Sequence, residues 1–152
     1  MAVSPIPAGY HAVTPYLIVD GAARAIEFYK QAFGAVELMR LPGPGGRLMH
    51  AEVKIGDSPV MLADQGDGQR APQPGATPPV SFMIYVPDVD RVFARALAAG
   101  ATEQRPVTDQ FYGDRMGMLV DPFGHVWGIA THVEDVAPEE IDRRFAQMMQ
   151  QE

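Results

Sequence analysis

The chain of 152 residues contains no cysteine. That excludes disulfides, thiolate metal sites and a cysteine nucleophile. Positive charge is scarce: 12 Lys and Arg stand against 19 Asp and Glu, a net charge of −7. An acidic surface repels phosphate backbones and anionic headgroups, so neither nucleic acid nor a membrane surface is an expected partner. No apolar run approaches the roughly 20 residues that a membrane span needs. The opening Met-Ala-Val-Ser-Pro-Ile-Pro lacks the basic and apolar regions of a secretory signal, and a cytoplasmic location is the expectation. There is no Gly-x-Ser-x-Gly and no His-Glu-x-x-His. The Gly-Pro-Gly-Gly at residues 43–46 lacks the Lys-Ser/Thr ending of a phosphate loop and reads as a turn. No cofactor is expected.

Apolar residues make up 47% of the chain and charged residues 20%, the balance of an ordinary globular protein. The length suits a single domain over residues 1–152. The 15 glycines and 14 prolines are about a fifth of the chain, against an average near 12%, and they gather in turns and one linker.

Residues 11–19 read as a strand, with Pro15 placing it at an edge or beside a bulge. Asp20 is a suitable cap for a helix ending at Phe33, whose apolar face is Ala22, Ala25, Ile26, Tyr29, Ala32 and Phe33. Gly34 then stops it. Strands are predicted at 36–41, 48–55 and 60–63, with a turn at Gly56-Asp57. Residues 64–79 form a polar linker. The pattern then recurs: a strand at 80–86, a helix from Asp88 carrying Val89, Val92, Phe93 and Ala96 on one face, an extended piece, and a strand at 115–120. Asp121-Pro122-Phe123-Gly124 makes a turn into a last strand. A further helix starts near Pro138, with Ile141, Phe145, Met148 and Met149 as its apolar stripe.

The same 68 residues separate Asp20 from Asp88, Arg47 from Arg115 and Gly56 from Gly124, which marks a duplication. The expected fold is α+β. Two βαβββ modules, residues 11–63 and 80–132, form a curved half-barrel sheet with helices on the outer face, and residues 133–152 add a C-terminal helix.

Those modules, the Phe28-Tyr29 and Phe33-Gly34 pairs of the first helix, and Asp121-Pro122-Phe123-Gly124 resemble the vicinal oxygen chelate superfamily of glyoxalase, bleomycin-resistance proteins, fosfomycin-resistance enzymes and extradiol dioxygenases. Thr14-Pro15-Tyr16-Leu17, Ala25-Ile26-Glu27-Phe28-Tyr29, the stretch from Asp121 to Trp127 and His132-Val133-Glu134-Asp135-Val136 resemble its PhnB-like branch. The resemblance spans roughly residues 11–140 and is specific to fold more than to activity. It implies a homodimer. It also implies metal ligands on the first and last strand of each module, at positions that fall here on Val13, Ser81, Val60 and Gly128. None is a His, Gln or Glu, so the usual metal is not expected.

The functional expectation is a glyoxalase- or bleomycin-resistance-like protein that binds a small apolar or aromatic molecule, an antibiotic or a metabolite, without metal. Strand alternation places Val13, Leu17, Ser81, Met83, Tyr85, Val126, Gly128 and Ala130 along the cavity. Phe111, Tyr112 and Arg115 form a candidate rim, with Arg115 either gripping an anionic group or tied in a salt bridge. His11 is either a polar contact in the cavity or an exposed residue at a strand start. His50 and Glu52 share a strand face and are the best candidates for chemistry, set against a plain cross-strand surface pair. The alternative function is a lyase or isomerase of the glyoxalase type, with or without metal, using His50, Glu52 and His11. His125 and Trp127 are expected to point away from the cavity, with Trp127 under a helix.

Overall fold

The computed structural model describes residues 2–151. It contains β1 (Tyr16–Val19), α1 (Ala22–Phe33), β2 (Val36–Pro42), β3 (Leu48–Ile55), β4 (Ser58–Asp64), β5 (Phe82–Tyr85), α2 (Val89–Ala98), β6 (Thr102–Asp109), β7 (Asp114–Val120), β8 (Val126–His132) and α3 (Pro138–Met149), with one 3₁₀ turn at Pro44–Gly46. Each module is a four-stranded mixed sheet, ordered β1-β4-β3-β2 and β5-β8-β7-β6. The first strand pairs parallel to the last, and the other pairings are antiparallel. The sheets do not join in a closed barrel, and the α+β architecture of two βαβββ modules plus a C-terminal helix is as expected.

Helix α1 follows from its pattern. Ala22, Ala25, Ile26, Tyr29, Ala32 and Phe33 are all buried, and Gly34 ends the helix at φ 68°. The start differs from expectation. Asp20 does not cap the helix; Gly21 precedes it at φ 103°, and Asp64 at the end of β4 accepts from the N–H groups of Gly21 and Ala22, both at 2.8 Å. Leu48 N–H donates to the same carboxylate. Burial works against the Asp64 charge, but the three N–H donors and Arg47 outweigh it and hold the carboxyl below its usual range. In the second module Asp88 does cap α2, accepting from Arg91 N–H, and Thr131 of β8 accepts from Val89 N–H.

The first strand is shorter than expected. Residues 11–15 lie outside it, because Pro15 has no N–H for the ladder and pairs only through its carbonyl, which accepts from Met61 N–H. Val80 and Ser81 likewise precede β5.

The core lies between sheets and helices, and α1 packs beside α2. It crosses the module boundary. Trp127 of β8 is 1% exposed and sits 5.5 Å from the ring of Tyr29 and 5.0 Å from that of Phe33, both on α1. Burying a large side chain this fully contributes roughly 1.5–3 kcal/mol. Asp121 stitches the junction: Tyr29 Oη and Trp127 Nε1 donate to its Oδ2 at 2.7 and 2.8 Å, and the N–H groups of Phe123 and His125 donate to Oδ1. Burial first, then the Asp121 carboxylate, push the Tyr29 phenol well above its usual value, so it remains a donor.

The strand pairings of the two modules correspond, with an offset of 67, not 68, in the first and last strands. Pair Tyr16–Met61 of β1 and β4 corresponds to pair Met83–Gly128 of β5 and β8. In β2 and β3 the offset is 66: Met39–Glu52 corresponds to Arg105–Met118. The extra residue sits in the hairpin: four residues separate the paired Lys54 and Pro59, and five separate their counterparts Val120 and Val126. The 68-residue coincidences of Asp, Arg and Gly are matches of identity, not of position. A slip of one residue in a strand exchanges its two faces, and that matters for the site.

Candidate functional site

Each sheet has one face against the helices and one open face. Register assigns the open face without ambiguity. Across the first sheet one row runs Tyr16, Met61, Glu52, Met39; across the second it runs Met83, Gly128, Met118, Arg105. The next row of the second sheet is Tyr85, Ala130, Met116 and Thr108.

The first open face is polar and wired. Glu52 is 7% exposed and accepts a hydrogen bond from Tyr10 Oη. Its other oxygen lies 3.4 Å from His50 Nε2, and His50 Nδ1 lies 2.8 Å from Tyr16 Oη. The bond to Glu52, and secondarily burial, raise the Tyr10 phenol above its usual value. Tyr16 remains 46% exposed. The expected His50–Glu52 pair is thus present, and Tyr10 and Tyr16 extend it in both directions.

The second open face is apolar. A Cβ on Gly128 would come within 2.7 Å of Met83 Cε and 3.1 Å of Met118 Sδ, so thioether ends fill the space that a side chain would take. At its edge Tyr85 Oη donates to Asp114 Oδ2 at 2.8 Å, a bond that raises the Tyr85 phenol above its usual value. His132 bridges Asp114 Oδ1 and Asp135 Oδ1 at 2.8 and 2.7 Å. Those two carboxylates, Asp114 first, raise the His132 imidazole above its usual value.

The other expected residues divide. Met83, Tyr85, Val126, Gly128 and Ala130 do share the open face. Leu17 does not: it is 1% exposed in the helix-side core, because Tyr16 takes the open side. Val60 is likewise in the core, and its neighbour Met61 faces out. Val13 is 86% exposed and His11 is exposed, both ahead of β1 rather than on a strand face. Ser81 is exposed ahead of β5. Arg115 alternates with Asp114 to the helix side, where its guanidinium is bidentate with Asp90, both bonds at 2.9 Å, and reaches Asp109 at 3.2 Å. Arg115 is thus tied in salt bridges with Asp90 and Asp109. Phe111 and Tyr112 pack edge to face, and Phe111 meets Phe145 of α3 at 5.7 Å. His125 and Trp127 point away from the open face as expected, with His125 Nε2 2.9 Å from the Ile18 carbonyl.

The superfamily's metal does not fit this set. In the row described above, the first and last strands contribute Tyr16, Met61, Met83 and Gly128. A phenol, two thioethers and a bare α-carbon are poor donors for a divalent cation of the hard or borderline type. Among the described residues no three His, Asp or Glu side chains gather as a metal-holding group. Nor is any helix among them long and apolar enough to cross a membrane.

Comparison with known proteins agrees with this architecture. The glyoxalase family model, described as the Glyoxalase/Bleomycin resistance protein/Dioxygenase superfamily, matches residues 10–129. An uncharacterized protein of Mycobacterium tuberculosis strain H37Rv is 46% identical over 135 residues, covering 86% of this chain and 79% of that one. The crystal structure of TioX from Micromonospora sp. ML1 superimposes with a TM-score of 0.64 at 27% identity, covering 84% of this chain and all of that one. The PhnB protein of Bacillus cereus gives 0.63 at 20% identity, over 80% and 99% of the two chains. The fosfomycin resistance protein FosX of Listeria monocytogenes gives 0.61 at 17%, over 86% and 97%. The last two likenesses are of fold alone.

Proposed function

The chain belongs to the Glyoxalase/Bleomycin resistance protein/Dioxygenase superfamily, and within it we propose a protein that binds a small apolar or aromatic molecule, a metabolite or an antibiotic, on the open faces of its sheets without metal. One observation carries this reading: the Met83–Gly128–Met118 row. Two flexible, polarizable thioethers meet over a glycine, a surface that repacks around varied apolar shapes. Tyr85, held by Asp114, adds a flat ring with a polar end.

A homodimer is part of the reading. A small-molecule site buries most of its ligand, yet in one chain the open faces are uncovered, with Met83 and Tyr85 at 45% and 63% exposed. Leu38, Leu41 and Met49 add exposed apolar surface along the first sheet. A second copy laid over these faces encloses the ligand. The net charge of −7 argues for a small molecule over nucleic acid or anionic membrane as partner, and a cytoplasmic setting completes the reading.

Titration with an anilinonaphthalene sulfonate dye tests the site. Gly128→Leu displaces the methionine ends from the surface they form and is expected to weaken dye binding about tenfold, a loss of about 1.4 kcal/mol. Equal binding by both proteins, or a monomer at every concentration in sedimentation, counts against the reading.

A further inference from the structure

We propose that Tyr16, His50 and Glu52 form a metal-free proton-transfer centre that tautomerises an apolar or aromatic carbonyl compound with an acidic C–H beside its carbonyl. The proposal rests on the binding reading above and gives its first open face a task.

The geometry is that of a base oriented by a third group. Glu52 is nearly buried, and among the described residues its ion-pair partner is His50. A carboxylate 3.4 Å from Nε2 favours the tautomer of His50 with its proton on that nitrogen. The Nδ1 lone pair then faces Tyr16 Oη at 2.8 Å and accepts its hydrogen. Tyr10 holds the remaining Glu52 oxygen, so the carboxylate is anchored from both sides. Tyr16 is the exposed end of the chain and projects beside Met61, where a ligand on this face would rest.

The second sheet is an internal control. Its equivalents of Tyr16, Met61 and Glu52 are Met83, Gly128 and Met118. The scaffold therefore accommodates these three positions with no ionisable group. A nearly buried carboxylate beside an imidazole carries a desolvation cost, and the sister sheet avoids it.

The step balances without a co-reactant. The substrate C–H bond breaks and its proton goes to the Tyr16 oxygen, while the Tyr16 hydroxyl proton passes to His50 Nδ1. The C–H electron pair becomes the C=C bond of an enolate, and the imidazolium forms against Glu52. Reversal of the relay returns one proton to the enolate oxygen. One proton has moved from carbon to oxygen, and nothing is oxidised or reduced. Tyr16 is the catalytic residue; His50 and Glu52 act through it.

Phenylpyruvate is the probe, and its keto–enol interconversion is followed by ultraviolet absorbance. Full-length protein is expected to accelerate it over buffer. Tyr16→Phe and His50→Ala are each expected to lower kcat by 100-fold or more, within the range for general acid–base groups. Added imidazole is expected to restore part of the His50→Ala rate, and the acid limb of the wild-type pH profile is expected to vanish in that variant. A structural role for His50 would give neither result. Circular dichroism of Tyr16→Phe, which keeps the ring, confirms folding. Absence of acceleration, or rates indifferent to both substitutions, overturns the proposal. Methionine methyl shifts on adding phenylpyruvate then separate the two readings: shifts without turnover leave binding standing, and no shifts count against both.

Discussion

The two sheets present the same four-position row and fill it in opposite ways. Tyr16, Met61, Glu52 and Met39 stand where Met83, Gly128, Met118 and Arg105 stand in the sister sheet. Backbone, register and helix packing are shared, so the fold does not dictate the chemistry of this face. A duplicated scaffold can therefore diverge: one face carries a linked carboxylate, imidazole and phenol, the other thioethers around a glycine. The helix side diverges less. A side-chain oxygen from the last strand meets the start of each helix, from Asp64 in one module and Thr131 in the other.

The hairpins between third and last strands also differ, and there the largest effect is expected. The second carries Asp121, whose carboxylate satisfies two buried side-chain donors and two backbone N–H groups. Asp121→Ala leaves Tyr29 Oη and Trp127 Nε1 without their acceptor at the junction of the modules. The expected loss is about 3–5 kcal/mol in urea unfolding, in the range for breaking a buried charged network. The first hairpin has Asp57, exposed and bonded to Ser58. Asp57→Ala is expected to leave the unfolding midpoint where it is. Equal effects would erase the distinction between the hairpins.

Much of the fold was legible because its signals are local and periodic. The α1 face, Gly34, the strand alternation and the Asp121 turn each carry their own physics. The open face was legible in the second module, where β8 follows its turn without a break in alternation. In the first, Pro15 shortens β1, and the 68-residue coincidences are one longer than the 67 that relates β1 to β5. Leu17 and Val13 were assigned to the cavity for that reason, when Tyr16 faces it. Tyr10 gave no sequence signal, since it lies 42 residues from Glu52 with no shared period. The same holds for Asp64 at the α1 start and for Asp90, on α2, across from Arg115. Those partnerships depend on which strand ends meet which helices.

The rims of the two open faces differ as well. Among the described residues the C-terminal segment docks at the second: the Gly113 carbonyl accepts from the N–H groups of Val133 and Glu134, and Arg144 Nη1 donates to the Phe111 carbonyl. Gly113 has φ 104°, and a Cβ there would collide with the Glu134 carbonyl. Gly113→Ala is expected to cost about 2–3 kcal/mol through backbone strain and displacement of residues 133–136. Faster proteolysis within α3 should accompany it. Retention of α3 protection would mean that the segment is held mainly by Phe145 and Arg144.

Exchanging identities within the row probes the comparison directly. Met118→Glu places a carboxylate on the second sheet without counterparts of His50 and Tyr10, and is expected to cost about 1–3 kcal/mol. Glu52→Met removes a costly charge but strands the Tyr10 and His50 partners, so stability is expected to stay within about 1 kcal/mol of the parent. Chemical denaturation measures both. Symmetrical losses would show that each sheet is fitted to its own residue by packing alone.

The smallest effect separates the two histidines. His50 faces one carboxylate and a phenol; His132 lies between two carboxylates, Asp114 and Asp135. Because His132 is raised in the folded protein, the folded state binds that proton more tightly than the unfolded chain does. The stabilising contribution is fully present below the unfolded value of about 6.5 and fades as pH rises through the higher folded value. Ring-proton NMR is expected to show the His132 midpoint above 6.5, and Asp135→Asn should move it down while leaving the bond to Asp114. A midpoint indifferent to Asp135→Asn would assign the whole effect to Asp114, the nearly buried partner that also holds Tyr85, and would tie the titration of His132 to the edge of the apolar face rather than to the C-terminal segment.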